Sequence, residues 1–286
     1  MIPAAFDYVA PTTVEDAVRA LAEGGEDAKV MAGGQSLIPV LRMRLAAPTL
    51  VVDVTGLTAL AGVRDEGDSL LVGALTTHHD VRRDPLVREH ADLLRLATDT
   101  VADPQVRHRG TVGGSLAHAD PAGDLPAVAL AVDAVMVCAG PGGTREVPAA
   151  EFFVDYFTTD LAPDELLTHV RVPKLTGWGA CYEKFARVAQ AWSVVAVAAA
   201  VRVVDGEVAG ARIGLTNMGP TPVRARGAEE ALVGRPATAA VIAEAAARAA
   251  EGANPATDAD GDAEYRSHLA RVLTRRAVTT AVGVRP

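Results

Sequence analysis

Cysteine is nearly absent from this 286-residue chain, with Cys138 and Cys181 as its only two. Two are too few for a disulfide framework. They are also too few for an iron–sulfur cluster or a cysteine-based zinc site built by this chain alone. The expected setting is a reducing cytoplasm. Aromatic residues make up only 4% of the chain, so Ala and Val must dominate the core. Long apolar runs are missing as well. The longest, "VVAVAAAV" from Val194, is far too short to span a bilayer. The opening "MIPAAFDYVAP" lacks the basic start and apolar centre of a signal peptide. Positive charge is in deficit, and the net charge of −9 argues against nucleic acid or an anionic membrane as the main partner. An anion bound here must therefore be held by backbone N–H groups and a few placed cations.

What is present reads as a mixture of short helices and strands. "TTVEDAVRALAEG" has a Thr cap, acids in its first turn and Gly24 as its stop, which predicts a helix. "AKVMAGG" is a strand entering a Gly-Gly turn, "QSLIPVLRMRLAAP" a helix interrupted by Pro39, and "TLVVDVTGL" a second strand. "LAGVRDEGDSLLVGAL" predicts a hairpin, and "THHDVRRDPLVREHADLLRLATDTV" a helical stretch capped by Thr77 and divided at Pro85. A helix to about Val132 should precede a strand, a Pro-Gly turn and another strand. "PKLTGWG", from Pro173 to Gly179, reads as a boundary. Beyond it, the Val-rich run and "ARIGLTN" form an antiparallel pair around "DGE", and two helices begin near Thr238 and Asp262. No repeat of solenoid period occurs. The expected fold class is α+β.

Two glycine pairs stand at element boundaries, in "MAGGQSLIPVLRMRL" from Met31 and "GTVGGSLAHADPAGDLP" from Gly110. Successive N–H groups in such a turn form a concave anion site, and a following helix adds more unsatisfied donors. Ser36 and Ser115 supply hydroxyls at the same rim. Neither loop is a Walker motif or the Gly-x-Gly-x-x-Gly of a dinucleotide fold. Two loops of this kind point to a diphosphate ligand.

"AGGQSLIP", "RGTVGGSLAHADPAGDLP" and "YEKFARVAQAWSVVAVAAAV" resemble the FAD-binding (medium) subunits of the molybdenum hydroxylases, of the aerobic carbon monoxide dehydrogenase and xanthine dehydrogenase type. The resemblance covers essentially the whole chain. It implies an FAD-binding PCMH-type domain over 1–176, in two parts at about 1–55 and 56–176. A smaller C-terminal domain of antiparallel sheet and helices follows over 177–286. It further implies that Ala32, Gly33, Gly34, Gln35 and Ser36 hold the FAD diphosphate, with Thr111, Val112, Gly113, Gly114 and Ser115 on its other side. Asp124 would accept from ribityl or ribose hydroxyls, and Val101 and Leu167 would line the ring walls. Lys184 would sit near the isoalloxazine and Trp192 over it. Gln35 departs from the His of many relatives and leaves nothing to titrate there. The implied partners are a large molybdopterin subunit and a small subunit with two 2Fe–2S clusters, assembled as a dimer of heterotrimers. The implied activity is electron transfer to a quinone, NAD or oxygen. A stand-alone flavin oxidoreductase and a non-catalytic nucleotide-binding module are the competing readings.

Other features have plainer expectations. "THHD" reads as a cap or surface segment, because adjacent His side chains diverge. His118 and Asp120 either shape a turn or border the flavin's reactive edge. "VRHRG" faces solvent or steers an anionic cofactor. Cys138 is a small hydrophobe in a strand. "TDADGD" lacks the glutamate and spacing of a calcium loop and reads as a solvated connector.

Overall fold

The computed structural model of the chain describes residues 2–283. Met1 and the last three positions of the expected C-terminal region lie outside them. The N-terminal part runs β1 (Asp7–Val9), α1 (Val14–Gly24), β2 (Ala28–Met31), α2 (Leu37–Met43) and β3 (Leu50–Asp53). Its strands form a parallel sheet in the order β1-β3-β2. Thr13 caps α1 by accepting from Asp16 N at 3.1 Å, and Ala17, Val18 and Leu21 pack with Val52, Val54 and Leu60. Helix α2 is not interrupted at Pro39. The proline falls in its first turn, where the missing N–H would have had no intrahelical partner.

The middle part contains β4 (Val63–Asp65), β5 (Ser69–Gly73), α3 (His78–Arg83), α4 (Pro85–His90), α5 (Asp92–Asp99), α6 (Pro104–Arg107), α7 (Val112–His118) and α8 (Asp124–Ala131). It continues through β6 (Val135–Gly140), β7 (Gly143–Pro148), α9 (Ala149–Phe152), β8 (Phe153–Asp155), β9 (Thr158–Thr159) and β10 (Leu166–Pro173). Five of these strands make an antiparallel sheet in the order β4-β5-β10-β6-β7. The expected hairpins β4–β5 and β6–β7 flank β10, which no local signal had marked. Both of its pairings are non-local, so no turn motif announces them.

The C-terminal part runs β11 (Gly179–Phe185), β12 (Val195–Val204), β13 (Glu207–Thr216), β14 (Val223–Arg224), α10 (Arg226–Leu232), α11 (Ala239–Ala247) and α12 (Ala263–Ala281). Its sheet has the order β11-β12-β13-β14, with the predicted hairpin turning at Asp205 and Gly206. The apolar run on β12 is buried on both faces. Ala196, Ala198 and Ala200 pack into the core of the middle part, whereas Val195, Val197 and Val201 pack toward α12. The alanine face lets α8 come close. At Gly214 a Cβ would fall 2.2 Å from the Ala127 carbonyl oxygen, so β13 touches the helix backbone directly. Helix α8 is thereby held between the two larger sheets, with its first residue, Asp124, at their seam.

Candidate cofactor cleft

All three parts contribute to one cleft of about 540 Å³, within the usual range for small-molecule and cofactor sites. Its floor begins where β2 runs into α2. Gly34 takes φ of +72°, in the left-handed region that glycine enters without strain. Gln35 folds back to donate from Nε2 to the Gly33 carbonyl at 3.0 Å. Among the described residues, the backbone N–H groups of Ala32, Gly33, Gly34, Gln35 and Ser36 have no acceptor. Five successive amides without partners beside an open cleft are donors that an anion could use.

The second glycine loop, unlike the first, has its amides bonded within the chain. Val112 N donates to the Thr76 carbonyl at 3.0 Å, Gly113 N to the Ala74 carbonyl at 2.8 Å and Ser115 N to the Thr111 carbonyl at 3.0 Å. Gly114 N donates to Thr111 Oγ1 at 3.1 Å. These donors are spent within the chain. Val112 is also turned away, its side chain packed in the core rather than on the cleft. The physical reason is that Thr111 caps α7 and bridges to Thr77, which consumes the first-turn amides. Thr111, Gly113, Gly114 and Ser115 line the cleft as a wall.

The glycines serve chain packing as much as ligand approach. A Cβ on Gly33 would stand 2.0 Å from the Arg109 carbonyl oxygen, and one on Gly113 would stand 2.4 Å from Ala74 Cβ. Gly33 is therefore where the first loop touches the segment leading into the second.

The cleft also has a charged part. Asp124, only 5% exposed, accepts from Tyr182 Oη at 2.7 Å, Lys184 Nζ at 2.8 Å and Ser193 Oγ at 3.1 Å. Burial first, and then the Asp124 charge, pushes the Tyr182 phenol well above its ordinary range, so it remains a donor. The expectation for Asp124 is a contact with ribityl or ribose hydroxyls, and the structure shows it already engaged by three side chains of the chain itself. A buried carboxylate must be satisfied internally, and three of its roughly four acceptor positions are taken. Tyr182 and Ser193 were not foreseen, because nothing in a strand pattern or a lone Ser marks a carboxylate partner. Lys184 Nζ also donates to the Thr100 carbonyl at 3.3 Å.

Val101 and Leu167 lie on the walls. The Val101 and Ala102 carbonyls both accept from Arg107 Nη1, at 2.7 and 3.0 Å, which pins that wall and turns Arg107 of "VRHRG" inward. Trp192 stands at the cleft edge on the 186–194 loop and is 57% exposed, so it is not a core residue. His118 and Asp120 line the cleft between the second loop and Asp124. Burial is the main cause that lowers the His118 imidazole and raises the Asp120 carboxyl from their ordinary values.

"THHD" is split by the fold. Thr77 caps α3 by accepting from Asp80 N at 3.1 Å, and the His79 ring stacks on His108 with centroids 3.8 Å apart. His78 is buried and lines the cleft, contrary to the cap-or-surface expectation.

Residues 4–175 match the family described as the FAD binding domain in molybdopterin dehydrogenase. The chain belongs to that family. Residues 180–281 match the CO dehydrogenase flavoprotein C-terminal domain. Among the relatives of this FAD-binding chain, the carbon monoxide dehydrogenase medium chain of Hydrogenophaga pseudoflava is 39% identical, over 98% of each chain. The 6-hydroxypseudooxynicotine dehydrogenase complex subunit alpha of Paenarthrobacter nicotinovorans is 38% identical, over 99% of this chain and 96% of the relative. The solved carbon monoxide dehydrogenase from H. pseudoflava superposes with a TM-score of 0.96 at 41% identity, covering 99% of both chains. The residues present fit FAD. Unpartnered amides could donate to an anionic diphosphate, and the Lys184–Asp124 pair and Trp192 line the same cleft.

Proposed function

We propose that this chain is the FAD-carrying electron-transfer subunit of a molybdenum-containing hydroxylase. It would work beside a large molybdopterin subunit and a small subunit with two 2Fe–2S clusters. The observation that carries this reading is the cleft itself: one row of five free amides, an apolar wall, and a buried Lys184–Asp124 pair in the same cavity.

When bound, FAD supplies a redox centre able to accept single electrons from clusters and to release them to an external acceptor. The chain's residues do the holding. The amides of Ala32 to Ser36 grip the diphosphate without a cationic side chain, which suits a protein of net charge −9. The wall of Thr111, Gly113, Gly114 and Ser115 closes the other side. Val101 and Leu167 offer apolar faces to the rings, and Trp192 covers the mouth and limits water. Lys184, fixed by Asp124 and Thr100, would offer one positive charge to the ring that gains electron density on reduction.

For the complex as a whole, carbon monoxide oxidation is the leading reading, because carbon monoxide dehydrogenase medium chains of two organisms match at 39% over nearly the full length. Hydroxylation of an N-heterocycle is the second reading, favoured by the 38% match to a 6-hydroxypseudooxynicotine dehydrogenase subunit. The test is to purify the chain co-expressed with the neighbouring-gene subunits and to quantify flavin and metals. Dye reduction is then assayed with carbon monoxide and with N-heterocycles. A flavin-free complex, or catalysis by this chain without partners, would overturn the proposal.

A further inference from the structure

His78 has the properties of a cofactor contact that no motif announces. Its side chain is only 4% exposed, yet it lines the cleft alongside Val101, Val106 and Gly110. Its Nδ1 is buried and has no hydrogen-bond partner among the described residues. The backbone that carries the ring is fixed. His78 N donates to the Gly110 carbonyl at 2.9 Å, and the adjacent Thr77 both caps α3 and bridges to Thr111. The Cδ2–Nε2 edge faces the second loop: a Cβ on Gly110 would stand 2.9 Å from Cδ2 and 3.2 Å from Nε2. Burial, with the Arg107 charge behind it, pulls the imidazole down to about 4, so near neutrality it carries one donor and one acceptor and no charge. A buried ring nitrogen left without a partner costs about 1–3 kcal/mol, and such sites call for an explanation.

We propose that His78 is a cofactor-contacting residue whose neutral imidazole hydrogen-bonds the polar edge of one of FAD's two heteroaromatic rings when the cleft is filled. This rests on the FAD reading given above. A neutral imidazole suits such an edge, because flavin and adenine rings both alternate acceptors and donors and gain little from a fixed charge. The contact differs from the diphosphate cradle, which is made of main chain, and from the Lys184–Asp124 pair, which is ionic.

The test uses the co-expressed complex and three variants: His78→Phe, which removes both nitrogens, His78→Gln, which offers an amide near the Nε2 position, and His78→Asn, which offers one near Nδ1. FAD dissociation constants, flavin absorption maxima and midpoint potentials are measured, with thermal unfolding as the control for folding. The expected result is a five- to tenfold weaker FAD affinity in His78→Phe, the value of about one hydrogen bond. At least one amide variant should recover most of it. A shifted flavin band and potential in His78→Phe would assign the contact to the isoalloxazine. Weaker affinity with an unchanged spectrum would assign it to the adenine. Unchanged affinity in His78→Phe, or equal losses in all three variants, would overturn the proposal, the second outcome marking a packing role. If His78→Phe fails to fold, the proposal stands or falls on whether Gln and Asn differ from each other. A wild-type complex that carries no FAD would instead sink the reading on which this one rests.

Discussion

Gly33 shows how a residue type chosen by one constraint reads as though chosen by another. The Gly-Gly signal suggested room for a ligand, but the atom nearest a Cβ at Gly33 is the Arg109 carbonyl oxygen of the neighbouring segment. Gly33→Ala is therefore expected to cost about 2–3 kcal/mol through overpacking as well as to lower flavin content, checked by thermal unfolding and the flavin-to-protein ratio. Lys184→Ala is expected to lower the flavin midpoint potential by about 30 mV, roughly 1.4 kcal/mol for a two-electron couple, checked by redox titration. His78 gives a pH prediction. Its folded pKa of about 4 lies below the unfolded value of 6.5, so its contribution to stability is fully present above 6.5 and is lost as pH falls toward 4. The wild type should lose about 2 kcal/mol more than His78→Gln between pH 7 and 5, read from urea midpoints at both pH values.

Among the elements, the 186–194 loop between β11 and β12 matters most, because it carries Trp192 to the cleft and Ser193 to Asp124. Arg266 of α12, fully buried, donates from Nη1 to the Val194 carbonyl at 2.6 Å and from Nη2 to Asp258 at 2.6 Å. Asn217 Nδ2 donates to the Ser193 carbonyl at 2.8 Å, and Arg187 pairs with Asp260 at 2.9 Å. The segment "TDADGD", expected to be a solvated connector, is thus a brace. Asp258 and Asp260 tie down the two ends of the loop, and Asp262 caps α12. Arg266→Met strips a buried carbonyl and an acidic turn of their partner at once. It should cost about 3 kcal/mol and weaken flavin retention, whereas Asp260→Asn, at an exposed pair, should cost under about 1 kcal/mol. Chemical denaturation of the two variants side by side checks both values.

In the molecule as a whole, the apparent boundary at residues 173–179 is a boundary of sequence rather than of packing. The core of the middle part is completed by Tyr182, Ala196, Ala198 and Ala200 from the C-terminal sheet. Asp133, just beyond α8, pairs with Arg212 and Arg224 across the same seam. The middle and C-terminal parts should therefore unfold together. Both tryptophans, Trp178 and Trp192, lie beyond residue 176, so fluorescence follows the C-terminal part while far-UV circular dichroism follows the whole chain. The two denaturation curves are expected to coincide. A chain cut after residue 176 should expose the alanine-contacting face of α8 and aggregate, which size-exclusion chromatography would show. No helix among the described residues is long and apolar enough to cross a membrane.

The α+β class, the hairpins, the capped helices and the positions of both glycine loops follow from the amino-acid order, because turn, cap and alternation signals are local. That order also carried the family, since the motifs that bear the resemblance are contiguous. Tertiary structure alone decided which loop offers free amides, that Asp124 is already engaged by Tyr182, Lys184 and Ser193, and that His78 rather than His79 faces the cleft. Those facts depend on where distant strands and helices deliver their hydrogen-bonding groups. Spacing along the chain does not encode whether a donor is already spent on a neighbour from elsewhere in the fold.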